Sequence, residues 1–172
     1  MIKINQISKL VFKIDNIRLN RVLNILKTQV PDYFFIKPSS SSGKYHPQDE
    51  FCTGGLVLHT LRVIEVADLL CDVHDITGER RQDILEACIF HDSIKYGNPD
   101  QNNVKTVKEH PVLPAFYLDI STKVDSLIRT HSGKFYDFVS DEWDNGTLDQ
   151  IIVHEADFIA SRRNVDISVD QL

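Results

Sequence analysis

Ile89-Phe90-His91-Asp92-Ser93-Ile94-Lys95-Tyr96-Gly97 is the stretch around which the chain is organised. It continues the apolar run begun by Ala87-Cys88, so an imidazole and a carboxylate arrive where a fold must bury them. Burying such a pair is costly unless its members are paired, hydrogen-bonded or bound to a cation. Both are good ligands for a borderline or hard divalent cation. Lys95 follows Asp92 by three residues, which on a helix puts it on nearly the same face. A cation beside a buried carboxylate marks a place for an anionic substrate.

Working outward, the spacing of Ile84, Leu85, Cys88 and Ile89 predicts a helix over about 79–95 that delivers His91 and Asp92. Upstream, Gly54-Gly55 opens a stronger helix over about 56–73. Its stripe of Leu56, His59, Val63, Val66 and Leu70 puts a histidine on the apolar face, where a ligand role is favoured over a lone core histidine. His74-Asp75 is a second His-Asp pair, but a polar turn follows it and no apolar run leads directly into it. It reads as a solvated helix end. Downstream, His110-Pro111 is read as a helix start with Val112, Leu113, Phe116 and Tyr117 on its core side. A helix over about 122–131 ends at His131. Thr147 and Gln150 form a capping box for a last helix over about 148–163, and that helix carries Asp157 between Val153 and Ala160.

The N-terminal third is less decided. Residues 1–14 fit a strand or a packed arm, and Asp15 is an N-cap for a helix over about 16–29 whose apolar side includes Ile17, Val22, Leu23, Ile25 and Leu26. From Pro38 to Gly54 the chain is rich in Ser, Gly and Pro and reads as a long loop. Gly43-Lys44 invites a phosphate-loop reading, but that motif needs glycine where Pro38 stands. The loop's length favours a role in substrate contact, through Ser42, Lys44 and His46. Arg162 is placed to reach the same mouth. The aromatic loop over 134–146, with Phe135, Tyr136, Phe138 and Trp143, reads as satellite packing.

Composition bounds the rest. The chain has 172 residues, 42% hydrophobic and 26% charged, and reads as one domain spanning 1–172, its core at about 51–163. No apolar run approaches a membrane span, and the opening residues predict no signal peptide. Three cysteines, odd in number and without metal-motif spacing, predict free thiols in a reducing compartment such as the cytoplasm. A net charge of −6 argues against a broad grip on long nucleic acid.

His59, His91-Asp92, His110, His131 and Asp157 together make six ligand-type side chains on one apolar scaffold, the way ligand sites are built inside helical bundles. Gly54-Gly55-Leu56-Val57-Leu58-His59-Thr60, His91-Asp92 with Lys95, His110-Pro111-Val112-Leu113, His131 and Asp157 resemble the HD-domain superfamily of metal-dependent phosphohydrolases over roughly residues 51–163. The two intervening histidines resemble its dinuclear branch, and the Gly-Gly-Leu…His-Thr run is similar to the HD part of bacterial 3′–5′ exoribonucleases. The sequence departs from many dinuclear members at Thr130-His131-Ser132, where they carry paired histidines, and at Ile94, where they carry glycine.

That resemblance implies an all-α, compact bundle of about six to seven helices. It implies a first divalent metal ion on His59, His91, Asp92 and Asp157, with Asp92 bridging to a second on His110 and His131. Mn, Fe, Ni, Co, Zn and Mg are all candidates. Lys95 resembles the family's lysine near the scissile phosphate, making Asp92 and Lys95 the expected catalytic pair. The implied reaction is phosphoester hydrolysis on a nucleotide or other small phosphorylated substrate, with a short single-stranded nucleic-acid end ranked lower. The rival expectations are a catalytically silent nucleotide- or metal-binding module and a plain helical interaction domain.

Overall fold

The computed structural model describes residues 2–41, 43–44, 46–98, 100, 103–135, 143, 146–167 and 169. Among them it is all-helical, with no strand. Seven α-helices follow in order: α1 Ile2–Leu10, α2 Asn16–Thr28, α3 Gly55–Val73, α4 Gly78–Phe90, α5 Pro114–Tyr117, α6 Thr122–Arg129 and α7 Leu148–Ala160. Of the strand or packed arm read over 1–14, the strand does not form: Ile2–Leu10 is a helix packed on α3, and turns follow it.

Local signals explain most boundaries. Asp15 accepts from the Arg18 amide at the start of α2, Ser121 accepts from the Val124 amide at the start of α6, and Thr147 with Gln150 completes a capping box on α7. α3 is buried on nearly every side and forms the axis of the molecule. It packs against α1, α4 and α7, while α4 packs against α6 and α7. Leu56, Val63, Ile64, Ala67, Ile84, Leu85, Val124, Leu127, Ile152 and Val153 belong to one continuous core. Ile17, expected on the apolar side of α2, is 91% exposed, and α2 buries Val22, Ile25 and Leu26 instead.

Two expected helices differ in the structure. α4 stops at Phe90, so His91 to Tyr96 form a succession of tight turns, closed by i→i−3 bonds at Ser93, Lys95 and Gly97. The Ser93 hydroxyl and His91 Nδ1 take the carbonyls of Phe90 and Cys88 that the helix leaves open. His110-Pro111 does not begin a helix. α5 starts at Pro114, because a proline deeper in a helix begun at His110 would clash with that residue's carbonyl. Phe116 and Tyr117 consequently face outward, 77% and 40% exposed, rather than joining the core. The stretch around Lys105 and Lys108 is turn and bend, not helix. Of the aromatic loop, Tyr136 and Phe138 lie outside the described residues.

The loop before α3 is held by close backbone approach. A Cβ at Gly55 would stand 1.8 Å from the Glu50 carbonyl oxygen, so that position tolerates only glycine. Gly55→Ala is expected to push the Gln48–Glu50 turn off α3 at a cost of about 1–3 kcal/mol, read as a lowered Tm. An unchanged melt would contradict this packing.

A candidate metal centre among the helix ends

His59 comes from the second turn of α3 and Asp157 from α7, which pack side by side. His91 and Asp92 come from the turns after α4, His110 from a turn before α5, and His131 from the end of α6. The six side chains meet. His59 Nε2 is 3.0 Å from Asp157 Oδ1 and 3.9 Å from Asp92 Oδ2. His91 Nε2 is 3.5 Å from Asp92 Oδ2 and 3.8 Å from Asp157 Oδ1. On the other side of the same carboxylate, Asp92 Oδ1 is 3.4 Å from His110 Nε2 and 3.9 Å from His131 Nε2, and those two nitrogens are 3.2 Å apart.

Ligand atoms sharing one cation at bonds of about 2.0–2.2 Å lie roughly 3.0–3.5 Å apart, so these spacings fit a cation with little rearrangement. Two further observations agree. His91 Nε2 and Asp92 Oδ1 are buried polar atoms without a hydrogen-bond partner, a costly state that a cation would relieve. Three of the four histidines also have a fixed tautomer. His91, His110 and His131 each donate Nδ1–H to the carbonyl three residues earlier, at 2.8, 2.9 and 2.7 Å. A carbonyl only accepts, so the proton sits on Nδ1 and the Nε2 lone pair faces the cluster.

Lys95 keeps its expected place. Its Nζ is 2.5 Å from Asp92 Oδ2, although both residues stand in turns. Burial favours the neutral acid at Asp92, but Lys95 and the surrounding imidazoles outweigh it and hold the carboxyl well below the usual range. Asp157 is held down in the same direction by His59 and His91.

Asp92, His110, His131 and Asp157 of the cluster, with Lys95, form the floor of a cavity of about 550 Å³. Arg162 lines its wall, with its guanidinium 3.6 Å from the centre of the Phe158 ring, and so does His46. Ser39, Ser40 and Ser41 supply the serine-rich side. Ser42 lies outside the described residues, and Lys44 is exposed on the loop, outside the cavity lining. His74 and Asp75 lie exposed at the end of α3, far from burial, as a solvated helix end.

Several neighbours were not singled out by sequence. Glu50 is fully buried behind His59, and Arg62 pairs with it at 2.7 Å. His154 donates Nδ1–H to the His131 carbonyl at 2.7 Å. Arg163 donates to the His46 carbonyl at 3.1 Å and to that of Gly43, tying the loop to the end of α7. For Arg62 a signal did exist: an arginine three residues after His59, beside the apolar stripe of α3.

His59 is shifted in the opposite direction from His131, His110 and His46. Burial opposes charge on His59, but Asp157 and Glu50 outweigh it and hold its pKa up at about 9. Burial, then His110 and His91, push His131 down to about 3, and burial lowers His110 and His46 as well. A raised folded-state pKa gives stability that is full below the unfolded value of about 6.5 and is lost as pH climbs through the folded one. A histidine held neutral loses its contribution as pH falls below about 6.5. The metal-free protein is therefore expected to melt highest near about pH 6.5, with Tm declining toward both pH 9 and pH 5. Melts in chelator across that range check it, and a Tm rising steadily from pH 6.5 to 9 would contradict it.

Comparisons with protein-family models, with curated proteins and with solved structures find no match. What the fold and the site define is an all-helical protein with a buried His/Asp cluster able to hold metal ions. Among the described residues, no helix is long and apolar enough to cross a membrane, and all three cysteines are free.

Proposed function

We propose that the chain is a metal-dependent phosphohydrolase of HD-domain type, cleaving a phosphoester of a nucleotide or other small phosphorylated substrate. One observation carries the reading: six ligand-type side chains from five segments meet, with four histidines within 3.9 Å of the two oxygens of Asp92 and Asp157 on His59 at 3.0 Å. The ordered His, His-Asp, Asp pattern resembling that superfamily supports it.

In this reading His59, His91, Asp157 and Asp92 would hold one divalent cation, and Asp92, His110 and His131 would hold the other. When bound, such a pair supplies Lewis acidity and brings the pKa of a nearby water toward neutrality. The chain's own residues do the rest. Asp92 stays ionised and keeps both oxygens available. Lys95, on the cavity floor, donates to a phosphoryl oxygen as charge grows there. Arg162 on the wall holds the substrate's phosphate from the side.

Arg162→Ala is expected to raise KM roughly tenfold with kcat little changed, the size of one lost hydrogen bond between charged groups. Steady-state kinetics check this; an unchanged KM would remove Arg162 from the site.

A second reading, a silent nucleotide- or metal-binding module, is favoured by two contacts. Lys95 on Asp92 and His59 on Asp157 already balance much of the site's charge. Elemental analysis of the purified protein, followed by a phosphoester panel with Mn²⁺ or Co²⁺, separates the readings. Turnover that depends on added metal supports the hydrolase, bound metal without turnover the module, and no metal at all removes both.

A further inference from the structure

His59 differs from the other three histidines of the cluster in what lies behind it. His91, His110 and His131 back onto carbonyls, whereas His59 Nδ1 faces a carboxylate, Glu50 Oε2, at 3.4 Å. The contact is long for a hydrogen bond and leaves Nδ1 without a well-formed partner, because the same oxygen accepts from His46 Nδ1 at 2.9 Å. The two imidazoles stand edge to face, ring centres 4.7 Å apart, around one carboxylate oxygen.

Glu50 is built in firmly. It has no solvent exposure, and its other oxygen takes Arg62 Nη1 at 2.7 Å. Arg62 is fixed in turn by Asp49, at 2.6 and 3.0 Å. The backbone of Glu50 rests directly against Gly55 and accepts from the Ser39 amide at 3.2 Å. A buried carboxylate needs such partners to be tolerated, but it needs no histidine from the cavity. Two histidines aimed at it require a further reason.

We propose that Glu50 is a positioning residue for the centre: it takes the Nδ1–H of both His59 and His46, so that when a cation displaces the proton that His59 Nε2 shares with Asp157 Oδ1, that nitrogen offers the cation its lone pair, while His46 Nε2 is left to accept from a donor on the substrate. The inference rests on the reading that His59 holds a cation. A carboxylate behind a ligating imidazole sets the ring's orientation and raises its basicity, and removing such a partner typically weakens metal binding about 10–100-fold. His46, Glu50 and His59 are themselves a ligand-type trio, yet a third cation among them is disfavoured. The guanidinium of Arg62 already stands on Glu50, and His59 would have to ligate through both nitrogens, which a neutral imidazole cannot do.

Glu50→Gln is the sharp test, because an amide can still accept from Arg62 but presents N–H to the histidines. It would favour the Nε2–H tautomer of His59, the one that cannot ligate through Nε2. Calorimetric titration of chelator-treated protein with Mn²⁺ is expected to show two sites in the wild type. In the variant one should be weakened about 10–100-fold, while the site on Asp92, His110 and His131 is kept. A general folding defect would weaken both and lower the helical signal. Should the variant fail to fold, ¹⁵N-histidine spectra of the Zn²⁺-loaded wild type decide, with His59 and His46 expected to carry their proton on Nδ1. Equal affinity at both sites in a folded variant, or an Nε2–H tautomer at either histidine, overturns the role of Glu50. A wild type that binds no cation overturns the underlying metal centre as well.

Discussion

Asp92→Ala is expected to abolish divalent-cation binding at both proposed positions and to lower the proposed hydrolysis by at least about 10²–10³-fold, the cost of removing one preorganised electrostatic group from a reaction centre. The expectation follows from position. Asp92 Oδ2 faces His59 and His91, and Oδ1 faces His110 and His131, so among the described residues Asp92 is the side chain that joins the two halves of the cluster. Lys95 loses its partner in the variant, but it can shed its proton rather than stay charged in a buried site. Helix content should therefore remain near that of the wild type, because α3, α4, α6 and α7 are held by a core that Asp92 does not join. Metal stoichiometry, activity and far-ultraviolet circular dichroism on the same preparation test this together. A variant that still binds two cations and turns over substrate would remove Asp92 from the centre.

The second large effect falls behind the site. Arg62→Met is expected to destabilise the protein by about 3–5 kcal/mol, the usual result of leaving one partner of a buried ion pair uncompensated. Glu50 has no exposure and depends on Arg62 together with the two histidines. Burial alone would raise its pKa, and His46, His59 and Arg62 reverse that, holding it well below the ordinary carboxylate range. A group so depressed contributes stability above its unfolded value of about 4.3 that is lost as pH falls. The deficit of the variant against the wild type should thus be full at pH 7 and narrow in acid. Urea titrations at pH 7 and pH 4 measure it; a deficit that does not change with pH would mean that Arg62 acts through packing alone.

Much of the fold was legible because its signals are local. Thr147 with Gln150, Ser121 and Asp15 lie within four residues of the amides they cap or the helices they begin. The ligand set was legible for a related reason. A histidine in an apolar stripe, or a carboxylate between Val153 and Ala160, is costly to bury without a partner, and that cost is readable in one dimension. His74-Asp75 lacked such a context and lies exposed.

What was not legible depended on contacts distant in sequence or on competition between close signals. His91 and Asp92 were expected on a helix, yet side-chain capping of the Cys88 and Phe90 carbonyls ends α4 before them. Pro111 and Pro114 both suit a helix start, and a helix begun at His110 would drive Pro114 into the His110 carbonyl, so the second is used. The Glu50 carboxylate gave no sign of its burial, because Arg62 and His59 reach it from a different element. Arg163 ties the loop to α7 across more than a hundred residues, which no periodicity reports.

Anomalous diffraction from crystals soaked in Mn²⁺ tests the central claim most directly. Two peaks are expected, one within bonding distance of His59, His91, Asp157 and Asp92 Oδ2, the other of His110, His131 and Asp92 Oδ1. Peaks confined to surface carboxylates, with the Asp92 cluster left empty under saturating Mn²⁺, would contradict it.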